Sequence, residues 1–162
     1  MADAVDVATP GVPGTPLARR ATARLRRRRD DVWIAATALV AAMLALPLGR
    51  NSWNGPEVAA VLAVSATALL AHQRWAIALV VLAELLLVPT VVPRAFAAPS
   101  DLTVGLTGLI ATAAIVPGLL AMRRAAAALV LISGWERTRR TCRRFHAGLI
   151  AAGVLAATIP IL

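Results

Sequence analysis

The chain has 162 residues, 59% of them apolar and only 4% aromatic, with a mean hydropathy of +0.76. A water-soluble globule of that length cannot enclose so much apolar surface, so the expected solvent is a bilayer. The formal charge of +9 comes from 17 basic residues, all arginine, and such an excess is either a phosphate-binding footprint or a set of membrane-topology signals. The arginine-only, alanine-rich usage reads as the coding bias of a GC-rich bacterial genome and carries no chemistry. The single cysteine, Cys142, excludes an intramolecular disulfide and leaves no second thiol for a zinc site.

Residues 1–18 hold prolines, glycines, small residues and two acids without apolar periodicity, the pattern of a disordered tail. Arg19, Arg20, Arg24, Arg26, Arg27, Arg28 and Arg29 follow directly before the first apolar run. The block 1–29 therefore reads as a disordered basic cytoplasmic tail. A cleaved signal peptide would have a short basic start and a small-residue cleavage site. Here a long tail precedes the run and Pro47, Gly49 and Arg50 follow it, so the segment reads as a retained anchor. The pair Arg19–Arg20 lacks the hydrophobic motif of a twin-arginine signal.

The first span is expected over 32–48, with Asp30 and Asp31 at its inner end and a polar turn of Asn51, Ser52, Asn54 and Gly55 outside. Pro56 opens the second, 58–71, about 21 Å long at about 1.5 Å per residue and so short that Glu57 and His72 must sit near the interfaces. His72, Gln73 and Arg74 form an inner turn before a third span at 75–92, which is expected to end in Pro89 and Pro93. Ser100 or Asp101 caps the fourth, 102–122. Pro117 should kink it or end its regular hydrogen bonding, and Arg123 and Arg124 stop it. Together 30–124 form a four-helix membrane domain. Residues 125–133 are too short to cross, 125–146 form a basic cytoplasmic or interfacial segment, and 147–162 is a short apolar C-terminal run. That run can cross thinly, lie in the interface or re-enter; its lack of charge favours crossing.

Alternating five spans from a cytoplasmic N-terminus sorts the arginines clearly. Fifteen fall inside, seven in the arm, Arg74, and seven between Arg123 and Arg144; only Arg50 and Arg94 fall outside. The positive-inside rule accounts for that split without nucleic acid. Aromatic residues give a second criterion, because amphipathic rings favour the headgroup level. Trp33, Trp75, Trp135 and Phe145 fall at inner boundaries and Trp53 and Phe96 at the outer side, none of them within an apolar core.

Glu84 is the one acid well inside a span, roughly 13 to 14 Å from Trp75. Holding it there costs several kcal/mol, on the order of 3, unless it is paired or carries a proton. Such a residue serves either as the titrating site of a transporter or as a hydrogen-bonding contact between helices. Ser65, Thr67 and Thr112 fall at comparable depths and are its candidate partners. Gly105, Gly108 and Thr112 line one face of the fourth span, and Gly148, Ala152 and Ala156 line the last segment, as smooth stripes for helix packing. Arg137, Arg139, Arg140, Arg143 and Arg144, next to Trp135, are expected on anionic headgroups or a protein partner. Cys142 and His146 stand four apart, but two ligands without further company make a weak metal site.

The order of these parts resembles the N-terminal membrane domain of actinobacterial sensor histidine kinases over roughly 25–134. The resemblance rests on an Arg cluster and Asp entering the first span (RRRRDDVWIAATALVAA), compact Ala/Leu spans, and a basic turn before the third (LLAHQRWAIALVVLAELLL). The run Glu136, Arg137, Thr138, Arg139 through His146 is similar to the E-R-x-R segment before that family's phosphoacceptor histidine. His146 departs from it by one position, is followed by Ala147 instead of an acid, and leads into an apolar tail with no ATP-binding domain. The resemblance therefore implies a sensing or anchoring module without phosphotransfer.

The sequence thus predicts an all-α integral membrane bundle of about five transmembrane helices, four plus a short C-terminal one, in the bacterial inner membrane with its N-terminus cytoplasmic. It predicts a non-enzymatic scaffold or sensing module without cofactor or metal. Its partners are anionic lipid and either itself or another membrane protein, with no nucleic acid. The alternative is a small transporter or channel subunit built on Glu84.

Overall fold

A computed structural model describes residues 16–48, 55–97 and 102–158. Among these residues the chain is all-α, with six helices: α1 (Pro16–Leu48), α2 (Gly55–Leu70), α3 (Ala76–Ala97), α4 (Leu102–Leu120), α5 (Met122–Ile132) and α6 (Arg139–Thr158). Segment 1–15, the outer turn with Asn51 and Trp53, and the cap expected at Ser100 or Asp101 lie outside the described residues.

The first correction concerns the basic arm. From Pro16 onward it is helix, continuous with the first apolar stretch, not disordered tail. Arginine, alanine and leucine are strong helix formers, Pro16 is tolerated in a first turn, and extending an existing helix avoids the cost of nucleating a new one. Every residue from Arg19 to Asp30 is exposed. Burial begins at Ile34 and Ala35, so α1 is a solvated rod for its first half and a packed helix for its second.

Helix α2 starts with Pro56 and Glu57 in its first turn, both suited to a helix N-terminus. It ends in a left-handed cap. His72 adopts φ 64°, its N–H donates to the Leu69 carbonyl at 3.0 Å, and the Gln73 N–H reaches back to Ala68 at 3.1 Å. This pairing closes a helix end that glycine usually caps. Trp75 Nε1 donates to Gln73 Oε1 at 3.2 Å across the same turn.

Helix α3 continues through Pro89 and Pro93 to Ala97 instead of ending there. Each proline removes one donor, from the carbonyls of Leu85 and Pro89 respectively, but its fixed φ is compatible with a helix. Standing four apart, the two confine that loss to one face. Pro117 behaves as the sequence predicts: α4 stops within a turn of it, at Leu120. Ala121 is a one-residue joint, its N–H donating to Gly118 at 2.8 Å and its carbonyl accepting from Arg124 and Ala125. Helix α5 then runs to Ser133 and turns at Gly134, φ 69°. Thr138 caps α6, its Oγ1 accepting from the Thr141 N–H at 3.1 Å. Helix α6 passes unbroken through the boundary expected between 146 and 147.

Helices α1 to α4 pack in a ring, each against the next, with α4 closing on α1; α3 also touches α5 and α6. The core is built largely of alanine, including Ala35, Ala38, Ala42, Ala66 and Ala111, around Leu62, Val80, Leu87 and Ile115. Small side chains let helix backbones approach closely, which matters where lipid offers no hydrophobic drive between helices. A second cluster joins Val81 and Leu85 of α3 to Ala125, Ala126 and Leu149. Helices α5 and α6 form an antiparallel hairpin. Phe145 meets Trp135 edge-on at 6.1 Å beyond the end of α5, and Gly153 lies near Met122 at its start.

Among the described residues two helices, α3 and α4, are long and apolar enough to cross a membrane by length and composition; the apolar stretch of α2, Pro56–Leu70, is shorter.

Candidate functional site

The site begins with one carboxyl group. Glu84 sits on α3 at the centre of the ring and is 0% exposed. Neither Oε1 nor Oε2 has a hydrogen-bond partner among the described residues. Buried polar groups are nearly always satisfied, so an orphan of this kind calls for a physical account.

The fold makes room for the carboxyl with a glycine. A Cβ built at Gly118 of α4 would collide with Oε2, Cδ and Oε1 of Glu84. Gly118 is buried on the same face of α4 as Gly108, Ala111 and Ile115, which places that face toward α3 and α1. The neighbouring Pro117 and the joint at Ala121 put the helix break beside the acid. The carboxyl therefore rests where backbone hydrogen bonding is already interrupted, against a residue with no side chain.

Gly118 is the residue that sequence reasoning missed. Depth along the spans places Thr112 at a level comparable with Glu84 and ends the fourth span at Arg123 and Arg124. The chain instead continues as α5, packed on α3, with Ala125 and Ala126 fully buried there. The signal that could have found it is the Pro117–Gly118 pair itself, a helix interruption with a bare backbone in an apolar run.

The expected polar partners are not gathered around Glu84. Thr67 is exposed and its hydroxyl donates to the Val64 carbonyl at 2.8 Å. Thr112 donates to Gly108 at 2.8 Å. Ser65 is buried on α2 but makes no bond to Glu84, whose oxygens accept none. Short hydroxyl side chains on helices satisfy themselves on the carbonyl three or four residues back, and the expectation neglected that competition.

The glycine stripes divide. Gly105 is half-buried and Gly108 buried in the α4 packing face. Gly148 is exposed with open space beside it, whereas a Cβ placed on Gly153 would stand 3.2 Å from Leu85 Cδ2 and 3.6 Å from Met122 Cε. The packed line of α6 is Phe145, Leu149 and Gly153, one residue round the helix from the line expected.

At the other end of the molecule Arg137, Arg139, Arg140, Arg143 and Arg144 are all exposed. Four of them occupy the first turns of α6, where no acid offsets the positive end of the helix dipole. The one ion pair among the described residues joins Arg124 to Asp31. It ties the start of α5 to the point where α1 changes from solvated to packed. Cys142 and His146 are each half-buried, and the His146 Nδ1 has no hydrogen-bond partner among the described residues. No group of three His, Cys, Asp or Glu side chains capable of holding a metal occurs among the described residues.

Comparison with known protein families, with characterised proteins and with solved structures finds no match.

Proposed function

We propose that the chain is a multi-pass inner-membrane protein that scaffolds or senses, with its N-terminus and basic loops in the cytoplasm. The outward surface carries this reading. Met43, Val64, Leu106, Ile110 and Leu155 are large, apolar and more than half exposed, a surface suited to lipid and costly in water. The fifteen-to-two division of arginines supplies the orientation. A fifth, thin crossing rests on the uncharged run of α6 after His146, about 18 Å over 147–158 and so short of one hydrocarbon thickness. The sensing role comes from the resemblance to kinase membrane domains, and the exposed basic face of α6 supplies contact with lipid or a partner.

Labelling tests the layout. With Cys142 replaced by alanine and Leu162→Cys as the sole thiol, periplasmic reagent should label the end of the chain. Labelling from the cytoplasm alone removes the fifth span.

A second reading, a small transporter or channel subunit, is favoured by one observation: the unpartnered carboxyl of Glu84. In an apolar bundle such a group must carry a proton or meet a cation. Glu84→Gln in reconstituted vesicles separates the two readings. Loss of a pH-dependent flux with assembly intact would establish transport and displace the scaffold. Equal flux in both proteins would remove the transporter.

A further inference from the structure

The exposed face of α1 at the end of its basic arm has features that neither the arginine count nor the core accounts for. Leu25, Arg28, Arg29, Asp30, Val32 and Trp33, all of them on α1 itself, line an open depression there. Arg28 and Arg29 make no ion pair among the described residues, and Asp31, the acid nearest the bundle, is engaged by Arg124. The depression is therefore left with two guanidinium groups and one carboxylate, a net positive patch beside an indole ring.

Below it the same side of the helix remains open. Val32, Trp33, Ala36, Val40 and Met43 are all exposed, spaced so that they follow one another down a single stripe. From Val32 to Met43 the stripe spans about 16 Å at the rise of an α-helix, against about 15 Å for one leaflet of hydrocarbon. Guanidinium groups above, an indole ring at the junction and one leaflet of apolar track below match a single amphiphile. Arginine recognises its phosphate through charge-assisted hydrogen bonds.

We propose that this face of α1 binds one anionic phospholipid of the inner leaflet, phosphodiester on Arg28 and Arg29 and an acyl chain along Val32 to Met43. The proposal rests on the membrane reading above. It assigns a defined site to α1, in addition to any diffuse attraction of lipid to α6. Asp30 reduces the net positive charge of the site without reversing it: its carboxylate opposes an anionic headgroup and would attract an ammonium-bearing one.

The full chain purified in a neutral detergent can be titrated with phosphatidylglycerol, phosphatidylethanolamine and phosphatidylcholine of identical acyl chains, with bound lipid counted by native mass spectrometry. One phosphatidylglycerol should be retained preferentially. Arg28→Ala with Arg29→Ala should weaken it by more than tenfold, taking about fivefold per arginine. Arg19→Ala with Arg20→Ala removes the same charge from the same helix about two and a half turns further from the boundary, and should change retention less than twofold. Asp30→Asn should tighten it. Equal losses from the two arginine pairs would reduce the site to diffuse electrostatics, and preference for phosphatidylethanolamine that Asp30→Asn abolishes would assign it to a zwitterionic headgroup; either outcome overturns the proposal. Alkaline carbonate extraction of the native membranes separates the two levels. Release of the protein into the soluble fraction defeats the membrane reading itself, whereas an integral protein without lipid preference defeats only the site.

Discussion

Helices α3 and α4 satisfy the same requirement of length and apolar composition, yet they live in different surroundings. In α3 61% of the apolar stretch is buried within the protein; in α4 the figure is 28%. Helix α3 touches every other helix, while α4 turns a small-residue face inward and Leu106, Leu109, Ile110 and Val116 outward. Apolar composition reports only that a helix tolerates a low-dielectric surrounding. Whether that surrounding is protein or lipid is decided by neighbours, and here the hairpin of α5 and α6 makes the difference by covering the side of α3 that the ring leaves open.

The strongest way to break this contrast is a deletion of packing volume in α3. Leu87→Ala, at a side chain 1% exposed, should destabilise the bundle by about 2–4 kcal/mol in a denaturation titration in mixed micelles, since the cavity is enclosed by protein. A loss below about 1 kcal/mol would mean that α3 is not the enclosed helix.

The interface between the two helices comes next. Gly118→Ala inserts a methyl group where the Glu84 carboxyl lies and should cost about 1–3 kcal/mol. Adding Glu84→Ala should recover most of it, so the double-mutant cycle shows coupling of about 1 kcal/mol or more. Additive losses would show that the two residues do not meet.

The smallest effect belongs to the outer face of α4. Leu109→Ala, at a side chain 48% exposed, removes little contact with the rest of the protein and should move stability by less than about 0.5 kcal/mol. A loss equal to that of Leu87→Ala would imply that another protein covers this face.

Much of the fold was legible because its signals are local. Pro56 and Glu57 mark the start of α2, the turn after His72 separates α2 from α3, Leu102 opens α4, and Pro117 stops it. Of the rings that sequence reasoning kept out of the core, Trp33, Trp75, Trp135 and Phe96 are exposed, Phe145 is half-buried against the second cluster, and Trp53 lies outside the described residues. What was not legible depends on partners distant in sequence. The arm from Pro16 is helical because a folded helix follows it, and Pro89 and Pro93 are tolerated because the bundle holds α3 together around them.

The candidate site divides in the same way. That Glu84 is buried follows from its place in an apolar run. That it faces Gly118 depends on where α4 ends and on α5 packing against α3, a tertiary event that depth along a span does not contain. Thr67 and Thr112 were mistaken for partners because position along a span was considered without the pull of their own helix carbonyls.

Helix α1 runs unbroken for 33 residues, about 50 Å. Arg19 in the exposed half and Ala38 in the core are therefore joined by continuous helix with no hinge between them. The clasp between Asp31 and Arg124 fastens that helix to the start of α5, three residues beyond the Ala121 joint and one further turn from the glycine that shelters Glu84. A continuous path of helix, ion pair and joint thus links the arm to the buried carboxyl.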